Sequence, residues 1–167
     1  MRRTLSAMAA LMAVVLVTAM LASATLAGAT VTVPGTMPWV YAGDVENGAT
    51  YDVTARGYVQ TAKIAYYHVP GLSKSASGPA GQPDSPCLAV YENDINGQCV
   101  VEDANFGALV AVVIDPETGL AAEPTFVIGA GPSFVAPADG ALFLTVNDLN
   151  LTYYDNNGQF SVVITRP

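Results

Sequence analysis

Positive charge is what this 167-residue chain has least of: six Lys and Arg stand against fourteen Asp and Glu, with one His and a net charge of −8. Such a surface repels phosphate backbones, which excludes a nucleic-acid role. Charged residues of both signs reach only 12% while hydrophobic ones make up 51%, which excludes general intrinsic disorder. Cysteine is nearly absent. Cys87 and Cys99 form no CxxC pair and have no histidine partners, so a dithiol redox motif and a zinc site are excluded. There is no G-x-S-x-G elbow, no P-loop and no dinucleotide fingerprint. A Ser-His-Asp triad would have to use His68, and no acid pair of the glycosidase kind stands on a distinctive motif. These absences point away from an enzyme. The acid excess suits hard cations, above all calcium.

Two of the six bases, Arg2 and Arg3, precede an apolar run from Leu5 to Leu21. Small residues follow as Ala22-Ser23-Ala24 and Ala27-Gly28-Ala29, the pattern of a secretory leader cut after Ala24 or Ala29. A single transmembrane anchor is the alternative, but the run is short for spanning and lacks a basic stop-transfer flank. The expectation is a signal peptide over 1–29, a single mature domain over 30–167, secretion, and no membrane span after processing. In an oxidising compartment two cysteines most simply pair, so Cys87 and Cys99 are expected to form a structural disulfide.

The mature chain reads as strands. Thr30–Val33, Trp39–Ala42, Ala49–Ala55 and Tyr58–Ile64 are short β-rich runs, separated by Pro34-Gly35, Gly43 and Asn47-Gly48 as turn signals. Tyr51, Val53 and Ala55 alternate with Thr and Asp, as in a half-buried strand. Ser, Gly and Pro dominate Val69 to Pro86, predicting a long loop. The continuous apolar run Ala108–Ile114 suits a strand buried on both faces; a short helix is the alternative, disfavoured by its β-branched content and the following Asp115-Pro116. Phe126–Ile128, Ala141–Val146 and Phe160–Thr165 complete about eight strands. The fold class is all-β, a β-sandwich or jelly roll.

Particular strings carry a resemblance. Phe106-Gly107-Ala108-Leu109-Val110, Ala136-Pro137-Ala138-Asp139-Gly140-Ala141-Leu142, Asn147-Asp148, Thr152 and Asp155-Asn156-Asn157-Gly158-Gln159-Phe160-Ser161-Val162 stand in order. Upstream are Pro34-Gly35, Trp39, Gly43-Asp44-Val45, Gly48 and Ala55-Arg56-Gly57-Tyr58. This resembles the calcium-dependent bacterial galactophilic lectins (the PA-I galactose-binding lectin type) and the related jelly-roll modules of secreted glycosidases. The resemblance implies a galactose-binding-domain-like sandwich that recognises carbohydrate without catalysis, with Ca2+ as cofactor. It implies calcium held by the side chains of Asp148, Asp155 and Asn156 and by the backbone carbonyls of Thr152 and Thr61. The sugar, a galactose-like glycan in that family, would meet Asp148, the Leu149 backbone and Asp155. Aligning Gly78-Pro79-Ala80-Gly81 with the family's Gly-Pro-x-Gly places Ser85 and Leu88 where a His and a Gln touch the sugar ring. Those lectins are tetramers, so a homo-oligomer is one arrangement open to this chain.

Chemistry agrees with the ligand set. Calcium takes six to eight oxygens, with carbonyls and waters completing what carboxylates begin. Asp155 departs from the family, whose Asn can donate to a sugar oxygen; a carboxylate only accepts. Each residue also has a plain reading. Asp148 and Asp155-Asn156-Asn157-Gly158 are also ordinary turn formers. Glu92-Asn93-Asp94-Ile95-Asn96-Gly97 lacks the EF-hand Glu and reads as a solvated loop. His68, with Tyr66 and Tyr67, reads as a half-exposed strand end or an aromatic platform for a sugar. Trp39 is expected in the core. The second functional class is a calcium-stabilised structural or adhesion sandwich without a sugar site.

Overall fold

Period-2 alternation builds the first long strand: Tyr51 and Val53 are buried, Thr50, Asp52 and Thr54 exposed. A computed structural model describes residues 27–61, 76–87, 99–149 and 152–167. Its strands are β1 (Ala27–Pro34), β2 (Val40–Val45), β3 (Thr50–Gln60), β4 (Leu109–Ile114), β5 (Phe126–Val127), β6 (Ser133–Val135), β7 (Gly140–Val146) and β8 (Asn157–Thr165). They form two four-stranded antiparallel sheets, ordered β1-β8-β3-β6 and β2-β7-β4-β5. The chain is a β-sandwich, as its turn-punctuated strand pattern implies.

The core lies between the sheets. Phe160, Val162 and Ile164 of β8 face Leu142, Leu144 and Val146 of β7 within one buried cluster, each fully buried. The β4 run is a strand, not a helix, and both its faces are sheltered. Leu109, Ala111 and Val113 join the core, while Val110 and Val112 on the opposite face are buried as well.

Several boundaries differ from the sequence reading. The runs Ala49–Ala55 and Tyr58–Ile64 are joined over Thr50–Gln60 in one strand, β3, which crosses Gly57 without a register shift against β8; residues 62–64 lie outside the described residues. A Cβ on Gly57 would lie 2.4 Å from the Gln159 carbonyl oxygen, and one on Gly158 2.4 Å from that of Tyr58. Both glycines have positive φ, so here glycine permits close strand approach where the sequence suggested a break. Gly43, read as a turn, sits inside β2 at a register shift against β7. β6 has no counterpart in the sequence reading; it is three residues long and pairs only with β3. Trp39 is half-buried and lies outside the core cluster, immediately before β2. Lys63, Lys74, His68, the 92–97 run and the proposed leader up to Leu26 fall outside the described residues. Among the described residues no helix is long and apolar enough to cross a membrane. A leader cut after Ala24 leaves β1 whole, whereas a cut after Ala29 removes Ala27, which pairs with Thr165.

Strand directions bring particular ends together. β3 ends at Gln60 opposite Asn157, the start of β8; β7 ends at Val146 opposite Leu109, the start of β4. β1 ends beside the same ladder, with the Gly35 amide donating to the Gly158 carbonyl at 3.0 Å. The remaining end carries the Asn47-Gly48 turn and the exposed Arg166–Glu46 ion pair.

Gly158→Ala is expected to lower unfolding free energy by about 2–3 kcal/mol, since it combines backbone strain with a clash against an adjacent strand. A shift of the urea midpoint with an unchanged slope would show that effect.

Candidate functional site

The β4–β7 ladder runs one step past Val146. Asn147 donates from its amide to the Ala108 carbonyl at 2.7 Å and accepts from the Gly107 amide at 2.8 Å. Gly107 has φ of 77°, and a Cβ there would stand 2.3 Å from Ser77 Oγ, so this turn requires glycine. The Asn147 side chain is fully buried and satisfied on both sides. Its Oδ1 accepts from the Val101 amide at 2.9 Å, and Nδ2 donates to the carbonyls of Val101, Ala104 and Asn105 at 2.9, 3.1 and 3.2 Å. The chain leaving β7 is thereby fixed to segment 99–106.

That anchor delivers Asp148, whose side chain is 0% exposed. Its Oδ1 accepts from the Leu149 amide at 2.7 Å and its Oδ2 from Asn156 Nδ2 at 2.9 Å. Asn156 Nδ2 also donates to the Gly35 carbonyl at 2.9 Å, joining the Asp148 turn to the end of β1. Burial pushes the Asp148 carboxyl above its ordinary range. The Asn156 and Leu149 hydrogen bonds pull the other way, and the nearby Asp155 charge adds to the rise. No base relieves it among the described residues. Arg166 is bound to Glu46 at the other end of the sandwich, and Arg56 lies exposed within β3 opposite Ser161.

Thr152 caps the descent from Asp148, donating from both its amide and Oγ1 to the Leu149 carbonyl at 3.1 and 3.2 Å. A one-turn 3-10 helix, Tyr153–Asp155, follows; buried Tyr153 anchors it by donating to the Val146 carbonyl at 3.3 Å. Thr61 stands one step beyond the Gln60–Asn157 pair, which brings it beside Asn156. Two buried oxygens here, Thr61 Oγ1 and Asp155 Oδ1, have no hydrogen-bond partner among the described residues. Among the described residues no group of three or more His, Cys, Asp or Glu could hold a metal ion. Any cation here would therefore rely on mixed carboxylate, amide and carbonyl oxygens.

Of the expected ligand set, Asp148 and Asn156 are in direct contact, Thr152 and Asp155 lie on the turn between them, and Thr61 adjoins through the β3–β8 ladder. The expected sugar contacts are less assembled. Leu149 turns its side chain into a buried cluster with Cys87 and Phe106, and its amide serves Asp148. Ser85 is half-buried; its Oγ donates to the Pro83 carbonyl at 3.2 Å and its carbonyl accepts from Phe106. Leu88 falls outside the described residues. The Cys87–Cys99 disulfide is formed, with Cα atoms 5.9 Å apart. In the sequence, Pro34-Gly35 reads as a turn and Asn147 only as part of the Asn147-Asp148 string, and neither is given a role at the site. A polar residue directly after the buried Leu142, Leu144, Val146 alternation is the available signal for Asn147; the Pro34-Gly35 turn signal does not show that the Gly35 carbonyl meets Asn156.

No family model matches the sequence, and neither does any curated protein. Among solved structures the chain is similar to the N-terminal domain of EclA, described as a PllA-like lectin. Identity is 18%, the match covers 83% of this chain and 95% of that one, and the TM-score is 0.53. At that identity the likeness is one of fold, a lectin-like β-sandwich.

Asn147→Ala is expected to destabilise by about 2–3 kcal/mol, because it leaves the Val101 amide unpaired and takes one donor from each of the Val101, Ala104 and Asn105 carbonyls, which keep a backbone partner; chemical denaturation measures this. The raised Asp148 carboxyl gives a definite sign to pH dependence. The folded, cation-free protein holds its proton more tightly than the unfolded chain. Its stability therefore falls as pH rises from the ordinary Asp range through the higher folded value. With chelator present, Asp148→Asn should flatten that fall, as read from urea midpoints across pH.

Proposed function

We propose that this protein is a secreted, calcium-dependent carbohydrate-binding protein that acts by recognition without catalysis. One observation carries the reading: a carboxylate fully withdrawn from water, Asp148, with no basic residue beside it among the described residues, and with oxygens of Thr61 and Asp155 at the same end of the sandwich that lack a hydrogen-bond partner there. An unpaired buried carboxylate is costly, and a bound cation is the usual compensation. The donors fit calcium. Asp148, Asp155, Asn156 and the carbonyls of Thr61 and Thr152 are hard oxygens, and Asn156 contributes through Oδ1, since its nitrogen donates to Asp148 and Gly35. The lectin-like fold of the solved neighbour supports carbohydrate as the ligand class.

When bound, calcium offers coordination places that two vicinal sugar hydroxyls can take. The protein's part is placement. Asn147 and the β7 ladder hold Asp148 still, so that this fully buried carboxylate serves the cation and not the sugar directly. Asp155 adds negative charge to the ion site and accepts hydrogen bonds, but it has no N–H to offer a ring oxygen. With Ser85 turned to Pro83, the specificity for galactose seen in the resembling family is loosened, so a galactose-like glycan is the first ligand to try, not the last. A second reading is favoured by one observation: the Ser85 hydroxyl and the Leu149 amide are both engaged within the protein. In that reading calcium orders the loops of a structural or adhesion module that binds no sugar.

Calcium at a hundredfold excess over its dissociation constant should add about 2.7 kcal/mol to unfolding free energy. Asp148→Ala should abolish that gain in a thermal melt. Retention on immobilised galactose that disappears with chelator supports the first reading. Calcium stabilisation with no retention on any sugar of a glycan array supports the second, and no stabilisation removes both.

A further inference from the structure

Three consecutive residues at the site are held from behind by segment 99–106, each in a different way. Asn147 is held through its side chain, bonded to Val101, Ala104 and Asn105. Asp148 is held by its carbonyl, which accepts from the Val100 amide at 3.3 Å. Leu149 is held by a β-bridge to Cys99 and by packing against Cys87 and Phe106. Segment 99–106 belongs to neither sheet. Its covalent tie is the Cys87–Cys99 disulfide, reinforced by the Cys87 amide donating to the Ala104 carbonyl at 2.8 Å. Beyond the end of β7, then, the backing of the Asp148 loop is a disulfide-closed unit and not a strand.

We propose that this disulfide is a positioning element of the Asp148 site: cation affinity is acquired when Cys87 and Cys99 are oxidised and lost when they are reduced. This deepens, and rests on, the calcium reading above. In oxidation the two thiols give up two electrons and two protons to a disulfide-bearing oxidant as the S–S bond forms. A dithiol reverses the step, breaking S–S and becoming a disulfide itself. Cys87 is fully buried and Cys99 half-buried, so attack would come from the Cys99 side. Without the bond, Cys99, Val100 and Val101 lose their covalent tie to Cys87, while Ala104 and Phe106 keep their amide hydrogen bonds with Cys87 and Ser85. The hold on 147–149 through Cys99, Val100 and Val101 then rests on hydrogen bonds to a stretch with no covalent tie behind it, and a cation site tolerates little displacement of its ligands. A protein made in a reducing compartment would thus gain its binding capacity only after export.

The test compares oxidised protein, protein reduced with a phosphine, and Cys87→Ser/Cys99→Ser, with calcium alone as the titrant. Amide hydrogen exchange is followed in the calcium-free forms. The expected result is a calcium dissociation constant at least tenfold higher in both disulfide-free forms. Exchange at Val100, Val101 and Leu149 should be at least tenfold faster, while the β4 and β7 amides stay protected. Val53→Ala, in the core near the opposite end, serves as the comparison once its urea midpoint matches that of the double variant; it should keep native calcium affinity. Unchanged affinity and exchange without the disulfide would overturn the proposal, as would an equal loss in Val53→Ala. If oxidised native protein binds no calcium, the calcium reading and the affinity claim both fall, and the exchange data alone then decide whether the disulfide positions the loop.

Discussion

A carboxylate that has left water without meeting a base among the described residues is the constraint around which one end of this sandwich is arranged. Asp148 accepts from its own neighbour's amide and from Asn156. Those bonds offset only part of what burial costs, since the carboxyl still holds its proton more tightly than an exposed one. The sandwich could bury an apolar residue there at no such penalty. That it places an acid there, at the junction of β1, β3, β7 and β8, singles out this end as the candidate site.

The core makes that placement rigid. The fully buried alternation of β7 runs directly into Asn147, so the register that packs Leu142, Leu144 and Val146 also aims the next two residues. Asn147 then transfers the register to segment 99–106, which has no strand partner of its own in either sheet. Packing, buried amide and disulfide act in series. The first fixes direction, the second fixes the loop behind it, and the third limits how far that loop can move.

Ligand chemistry follows from what surrounds the acid. Hard oxygens from two loops and a strand end suit a cation that prefers many oxygen donors, and the excess of acids over bases favours it further. Sugar recognition depends on groups less firmly committed. Asp155 accepts where a donor would discriminate, and Ser85 faces its own loop. For the proposed function, that distribution of donors implies a cation site with altered sugar preference; the likeness to a lectin domain is itself one of fold.

Alternation and turn chemistry are local, and so the strands β3, β4, β7 and β8, the sandwich class and the pairing of two lone cysteines were legible in the residues. The Asp148, Thr152, Asp155, Asn156 spacing was legible too, because those positions lie within one short stretch and the resemblance reads them together. Where a glycine breaks a strand and where it lets two strands approach was not legible: Gly57 and Gly158 are distinguished only by the neighbour across the ladder. Nor were the bond from Asn156 to the Gly35 carbonyl, 121 positions away in sequence, and the grip of Asn147 on residues 42 to 46 positions earlier. Those contacts exist because antiparallel pairing returns distant strand ends to one edge of the sandwich. Residue order alone carries no record of which ends meet; the tertiary structure decides it, and with it the burial that gives Asp148 its chemistry.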